Sequence, residues 1–189
     1  MIFSSDTTVG ALIAEVKNAF LPAIEIPEMY LLCEYNALLR ALYLSLPGGD
    51  TSETAEAEAG LLPISGTPSR VRRVFFDGRE LLCASPALLD VLPEYPLFCP
   101  APGGLQVPYD GTYTLLLRSL PAAVTAADMA SSAVALEDED IPMMRAYLFH
   151  RAYLYAADGA CANLYGAEYN RLLEEFRRAK GVLPCEKEA

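Results

Sequence analysis

The stretch that decides the fold is residues 141–180, IPMMRAYLFHRAYLYAADGACANLYGAEYNRLLEEFRRAK. On both sides of Asp158-Gly159 its apolar residues recur every three or four positions, as in helices with one buried face. The expected buried positions are Met144, Tyr147, Leu148, Ala152, Leu154 and Tyr155, then Cys161, Leu164, Tyr165, Tyr169, Leu172, Leu173 and Phe176. Pro142 suits a first helical turn, and Asp158 can cap the second helix. The stretch therefore predicts an antiparallel helical hairpin.

Two more helices are predicted near the start of the chain. One covers residues 8–20, with Thr7 or Thr8 as its cap, and the other covers 27–46 and ends at Pro47-Gly48-Gly49. Together they form an N-terminal helical pair at 7–47, which matches the closing pair at 141–180. A tail, 181–189, follows the second pair.

The middle of the chain changes character twice. Residues 48–69 are small and acidic, which predicts a mobile surface connection. Residues 70–120 contain β-branched and aromatic runs with Asp-Gly turns at Asp77 and Asp110, which predict a small antiparallel sheet. The predicted fold class is mainly α with a β insertion (α+β). In this single domain of residues 1–189, the two helical pairs pack as a small bundle with the sheet inserted between them.

Composition excludes several classes of protein. The 189 residues include 25 acidic and 14 basic ones, a net charge of −11 that repels nucleic acid and argues against sequence-specific binding through phosphates. Five scattered cysteines and a single histidine support neither a disulfide framework nor a zinc site, so a reducing compartment is expected. Neither a membrane-spanning run nor a signal peptide is evident, which predicts a cytosolic protein.

Catalytic motifs are missing from the sequence. No phosphate-binding loop, dinucleotide-binding loop, zinc-hydrolase motif or serine-hydrolase motif occurs. His150 has no partner nucleophile in view, so a role in packing is favoured for it over catalysis. The acidic run 137–140 fits a solvated helix start better than a cation site, because calcium loops interleave their ligands with a glycine. We therefore expect no enzyme activity, cofactor or metal.

The tyrosines of the hairpin exceed what one hydrophobic seam needs. They fall on several helix faces, and surplus tyrosines are typical of protein–protein interfaces. The sequence therefore predicts interface residues among Tyr147, Tyr153, Tyr165 and Tyr169.

Three passages resemble the head-to-tail adaptor (connector, or head-completion) proteins of tailed bacteriophages and prophages. They are TVGALIAEVKNAF (8–20) followed by EYNALLRALYLSLP (34–47), RVRRVFFDGRELLCASPALLDVLPEYP (70–96), and the closing hairpin (141–179). The chain departs from the family pattern after Asn36, where the family's glutamate is missing, and in the acidic segment 48–69. The passage 97–112 also lies outside the resemblance.

The resemblance implies a structural role in virion assembly. Such a protein forms a ring under the portal protein, extends the DNA channel for passive DNA passage, and docks tail-completion proteins. It would occur in the host cytoplasm and the virion. The family's C-terminal segment engages the portal, which points here to Arg177, Arg178, Leu183 and Pro184. Two alternatives remain open: a cytosolic helical protein-interaction module unrelated to phage, and an enzyme with an unrecognised carboxylate site.

Overall fold

Residues 5–20, 23–47, 49–91 and 95–182 are described by the structure, a computed structural model. The chain divides into a helical unit, Met1–Gly48 with Leu120–Ala189, and a β unit, Gly49–Ser119. The helical unit contains α1 (Val9–Asn18), α2 (Glu28–Ser45), α4 (Ile141–Tyr155) and α5 (Gly159–Ala179). Among its described residues, the β unit contains seven strands, one short α-helix and one turn of 3-10 helix.

The helices begin where the sequence places their caps. The hydroxyl of Thr8 accepts a hydrogen bond from the amide of Ala11 at 3.2 Å, at the start of α1. The carboxylate of Asp158 accepts one from the amide of Cys161 at 3.1 Å, at the start of α5. Each bond satisfies an amide that has no partner within its own helix. The predicted positions of these caps are confirmed.

The helical unit joins the two ends of the chain around one core. Helix α4 contacts α1, α2 and α5, and α1 also contacts α2. The core side chains with at most 2% exposure include Leu12, Ile13, Leu31, Tyr35, Tyr43, Met144 and Leu148. Helix α5 lies at the periphery, since only Ala162 and Phe176 of its residues are buried.

The β unit is a seven-stranded sheet. Its strands are β1 (Asp50–Ala57), β2 (Leu61–Pro63), β3 (Val71–Phe76), β4 (Arg79–Cys83), β5 (Leu97–Ala101), β6 (Gly104–Gln106) and β7 (Gly111–Arg118), and α3 (Pro86–Val91) connects β4 to β5. The order is β1-β7-β3-β4-β5-β6-β2. Backbone hydrogen bonds between Glu58 and Leu61 bring the two outer strands of this order together, so the sheet is nearly closed, like a barrel. Its interior is filled by Leu62, Val74, Leu105, Tyr113, Leu115 and Leu117.

The predicted fold class, a helical bundle carrying a small antiparallel sheet, is therefore wrong. The sheet is large and nearly closed, and β4 pairs with β5 in parallel. The segment 48–69, predicted to be a mobile connection, contains strands β1 and β2, which occupy half of it. Strand β1 has a polar sequence, but it pairs with β7 from Asp50↔Arg118 to Ala57↔Gly111. The hydrogen bonds and side-chain contacts with β7 stabilise β1 as a strand, and the composition of β1 alone could not predict them.

None of the helices among the described residues is both long and apolar enough to span a membrane.

Candidate functional site

The seam between α4 and α5 is held by His150. Its Nδ1 donates a hydrogen bond to the carbonyl oxygen of Ala162 at 2.7 Å. A Cβ atom on Gly166 would lie 3.0 Å from the same nitrogen, so the glycine lets the imidazole approach the backbone of α5. This arrangement gives His150 a packing role, as the sequence favoured.

The four predicted tyrosines lie in the helical unit, half-buried, in two groups of rings. Tyr153 stacks on Tyr165 with ring centroids 5.3 Å apart, and it also contacts Phe20 at 4.6 Å. Tyr147 contacts Tyr169 at 5.1 Å. Much of each ring is thus used for packing within the molecule. The use of these tyrosines at an interface stays a prediction.

A polar network joins α2 to α4 beside these rings. One carboxylate oxygen of Glu34 lies 2.7 Å from Nη2 of Arg151, and the other accepts a hydrogen bond from the Tyr147 hydroxyl at 2.8 Å. Burial acts to raise the pKa of Glu34, but the hydrogen bonds from Arg151 and Tyr147 outweigh it, and the pKa is lowered. Burial and the adjacent carboxylate hold the pKa of Tyr147 well above its ordinary value. Glu34 is thus ionised and Tyr147 protonated near neutral pH, which suits a structural clamp rather than proton transfer.

One cation of the chain, Lys180, lies among the carboxylates of the acidic run 137–140. Glu137, Glu139 and Asp140 each place a carboxylate oxygen within 4.8 Å of the others. The ammonium group of Lys180 pairs with Glu137 and lies 3.2 Å from Asp140 Oδ2. The lysine therefore contributes one positive charge to this cluster, and it ties the end of α5 to the start of α4. The sequence predicted the helix start but not this partner.

A small cavity beside this cluster is lined in part by carboxylates, so it bears on the alternative of an enzyme that uses them. It measures about 220 Å³ and is lined by Glu139, Asp140, Met143, Leu172, Glu175, Phe176 and Ala179. Burial raises the pKa of Asp140, while the hydrogen bond and charge of Lys180 oppose the rise. Because Asp140 is held by Lys180, the geometry favours a structural role for this carboxylate.

We predict that Lys180→Met lowers the free energy of unfolding by about 1–2 kcal/mol at neutral pH, because Asp140 stays buried without its cation. Removing the lysine also removes what opposes the raised pKa of Asp140, so the folded state binds a proton more readily than the unfolded state. Stability should then recover as the pH falls through the titration of Asp140. Urea unfolding at neutral and mildly acidic pH measures both effects.

Arg178→Met is the matched control for this prediction. Arg178 pairs with Glu174 at 3.2 Å on the exposed face of α5, where an ion pair contributes little. An equal loss in the two variants, or a Lys180→Met loss that does not change with pH, would contradict the account.

An apolar patch is exposed near the connection between α4 and α5. Leu154, Tyr155 and Leu164 are 45%, 49% and 69% exposed, although the sequence placed all three in buried stripes. Tyr155 contacts the ring of Tyr30 at 5.1 Å, and the neighbouring Met29 is 55% exposed. We call Met29, Leu154, Tyr155 and Leu164 the hairpin-tip patch. Helical spacing signalled that these residues are apolar, but it could not show that α5 packs along only one narrow side.

Two more of the predicted interface residues, Arg177 and Arg178, lie at the C-terminal end of α5. Arg177 and Arg178 are exposed in its last turn, and the amide of Val182 donates a hydrogen bond to the carbonyl of Arg177 at 2.7 Å. Leu183 and Pro184 lie outside the described residues. The structure thus places the predicted arginines in the last turn of α5, whereas Leu164 of the hairpin-tip patch lies near the start of that helix.

Comparison with known proteins adds no relative: no protein-family model matches the chain, and no curated protein matches it.

Proposed function

We propose that the chain is a structural assembly protein, a head-to-tail adaptor that forms a ring under a phage portal and extends the DNA channel. The observation that carries this proposal is the hairpin-tip patch, together with the resemblance of three sequence passages to adaptor proteins. Several large apolar side chains left in solvent near one end of a helical hairpin favour a surface that another protein covers. The proposed partners are the portal protein and tail-completion proteins, in the host cytoplasm and the virion.

The hairpin that carries Leu154, Tyr155 and Leu164 is held together by contacts between α4 and α5, which favours its use in assembly. Phe149 and Tyr165 stack at 4.9 Å, and His150 bonds α4 to α5 next to them. A surface that is already ordered loses little conformational entropy when it binds. In a ring, each copy contacts the next through two different surfaces. The copies form a closed ring when the rotation between neighbours divides a full turn.

The charge of the chain is compatible with a channel. A net charge of −11 repels the phosphates of DNA, so DNA can pass without being retained. This role requires no sequence-specific contact with nucleic acid.

A second candidate function draws on the same patch. A cytosolic interaction module unrelated to phage would use the hairpin tip to hold an amphipathic helix of its partner. The two functions differ in the partner, which an experiment can decide.

We predict that the full chain assembles into a ring with the portal protein encoded in the same genome, and that Leu164→Glu weakens this association at least about tenfold. A charge at this position would have to be buried against the partner. The free energy of unfolding should change by no more than about 0.5 kcal/mol, because Leu164 is exposed in the isolated chain. Native mass spectrometry of the mixture measures the association and the number of copies.

Asn163→Glu is the control, since it adds the same charge one position earlier on the exposed surface of α5. If Leu164→Glu does not weaken assembly with the portal, the docking surface does not lie at the hairpin tip. A genome without a portal gene, or a portal that does not bind, would overturn the adaptor proposal and leave the interaction module.

A further inference from the structure

The β unit contains a groove of about 410 Å³ that the proposed function does not use. It is lined by Phe76, Asp77, Arg79, Leu81, Pro96 and Tyr109. These residues come from the β3–β4 hairpin and from the segments that precede β5 and β7. The groove combines aromatic and proline rings with two charged side chains at the β3–β4 turn.

The aromatic wall of the groove is fixed before any ligand arrives. Tyr109 stacks on Phe76 with centroids 5.4 Å apart and an angle of 27° between the rings, although it is 40% exposed. The hydroxyl of the buried Tyr113 donates a hydrogen bond to the carbonyl oxygen of Tyr109 at 2.9 Å. Tyr113 also contacts Phe76 at 4.7 Å. An exposed tyrosine held in this way offers a flat apolar face whose ordering costs a ligand little.

The rim of the groove carries an arginine that is not used in an ion pair among the described residues. Arg79 forms no ion pair with any of the residues that the structure describes, whereas its neighbour Glu80 lies 3.6 Å from Arg73. A guanidinium group beside an aromatic wall is suited to a carboxylate, which it can bind with two parallel hydrogen bonds. Arg79 thus offers a position for one acidic residue of a ligand, although Asp77 places a negative charge on the same rim.

We propose that this groove binds an extended, proline-containing peptide segment of a partner protein, with the proline against Tyr109 and a nearby acidic residue on Arg79. Proline-rich segments dock in aromatic-lined grooves because their extended conformation is already formed. A peptide fits better than a nucleic acid, because one carboxylate needs only Arg79, whereas a run of phosphates is repelled by the net charge of −11. The proposal is independent of the adaptor role.

The test is a fluorescence anisotropy titration of the full chain with a labelled peptide, Ala-Pro-Leu-Pro-Ala-Glu-Ala. We expect saturable binding that falls about tenfold when both prolines become alanine and about fivefold when the glutamate becomes glutamine. Tyr109→Ala should weaken binding about tenfold through loss of the aromatic wall. Arg79→Gln should remove the preference for glutamate over glutamine.

Asp77→Asn is the control variant for Arg79→Gln. Asp77 has φ of 48°, a conformation that asparagine also adopts readily, so the substitution removes a charge without straining the turn. It should leave peptide binding unchanged or strengthen it, because a negative charge leaves the rim.

Three results would overturn the proposal. They are no saturable binding, binding that Tyr109→Ala leaves unchanged, and tighter binding of a single-stranded oligonucleotide than of the peptide. Sedimentation of the chain alone adds a fourth: self-association that Tyr109→Ala abolishes would assign the groove to a second copy of the chain.

Discussion

Gly104→Ala is expected to lower the free energy of unfolding of the β unit by about 3 kcal/mol or more. A Cβ atom on Gly104 would lie 2.1 Å from the carbonyl oxygen of Leu62 and 3.0 Å from its carbonyl carbon. Both atoms belong to the backbone of β2, so no side chain can rotate away to make room. Strand β2 would have to move away from β6, and the sheet would open between these two strands. Urea unfolding followed by near-ultraviolet circular dichroism measures the loss.

The neighbouring Gly103 provides the control, because its backbone conformation, and not a lack of space, favours a glycine there. Its φ is 85°, but nothing lies within 4 Å of the position its Cβ would take. Gly103→Ala should therefore cost only about 1–2 kcal/mol of backbone strain, and Gly103→Asn less, since asparagine tolerates this conformation. Gly104→Asn should be as damaging as Gly104→Ala. If Gly103→Ala lowers the free energy of unfolding more than Gly104→Ala does, the close approach of β2 is not the reason for a glycine at position 104.

The hairpin of β3 and β4 shows what local sequence can predict in the β unit. Asp77 and Gly78 have φ of 48° and 74°, the left-handed pair that a two-residue turn requires, and Phe76 pairs with Arg79 across it. Strand β1 shows the opposite case. Its sequence DTSETAEA carries three acids, and of its residues only Ala57 is buried. Its strand conformation is fixed by pairing with β7, more than fifty residues later in the sequence, which no local pattern reports.

In the helical unit as well, local sequence predicts some features, whereas others depend on residues distant in the sequence. Apolar spacing and the caps Thr8 and Asp158 suffice to place helices, because both act within one or two turns. The contacts that define the polar clusters are distant in sequence. Lys180 and Glu137 are 43 residues apart, and Arg151 and Glu34 are 117 apart. Which apolar residues stay exposed, as Leu164 does, depends on packing that spacing does not encode.

Glu34→Ala is expected to lower the free energy of unfolding of the helical unit by about 2–3 kcal/mol at neutral pH. The glutamate side chain is 15% exposed and bonds to both Arg151 and Tyr147. Its removal leaves a half-buried guanidinium group without its anion and a hydroxyl without its acceptor. Glu34→Gln keeps a hydrogen-bond acceptor of nearly the same shape, so its loss should be smaller. Urea unfolding followed by far-ultraviolet circular dichroism measures both variants.

The matched control for Glu34→Ala is Glu15→Ala. Glu15 also pairs with an arginine of α4, Arg145, at 2.9 Å, but the two side chains are 48% and 41% exposed. Solvent screens such a pair, and removal of Glu15 should cost less than about 1 kcal/mol. The comparison separates the effect of burial from the mere presence of an ion pair between α4 and an N-terminal helix.

The dependence on pH provides the sharper test of the Glu34 clamp. Because the pKa of Glu34 is lowered in the folded state, the unfolded chain binds a proton at this site first as the pH falls. The stabilisation from Glu34 is therefore complete above the unfolded pKa and disappears as the pH drops through the folded pKa. The difference between the native chain and Glu34→Ala should shrink over this acidic window. A constant difference would mean that Glu34 acts by filling space rather than by its charge, and that Arg151 and Tyr147 do not depend on the carboxylate.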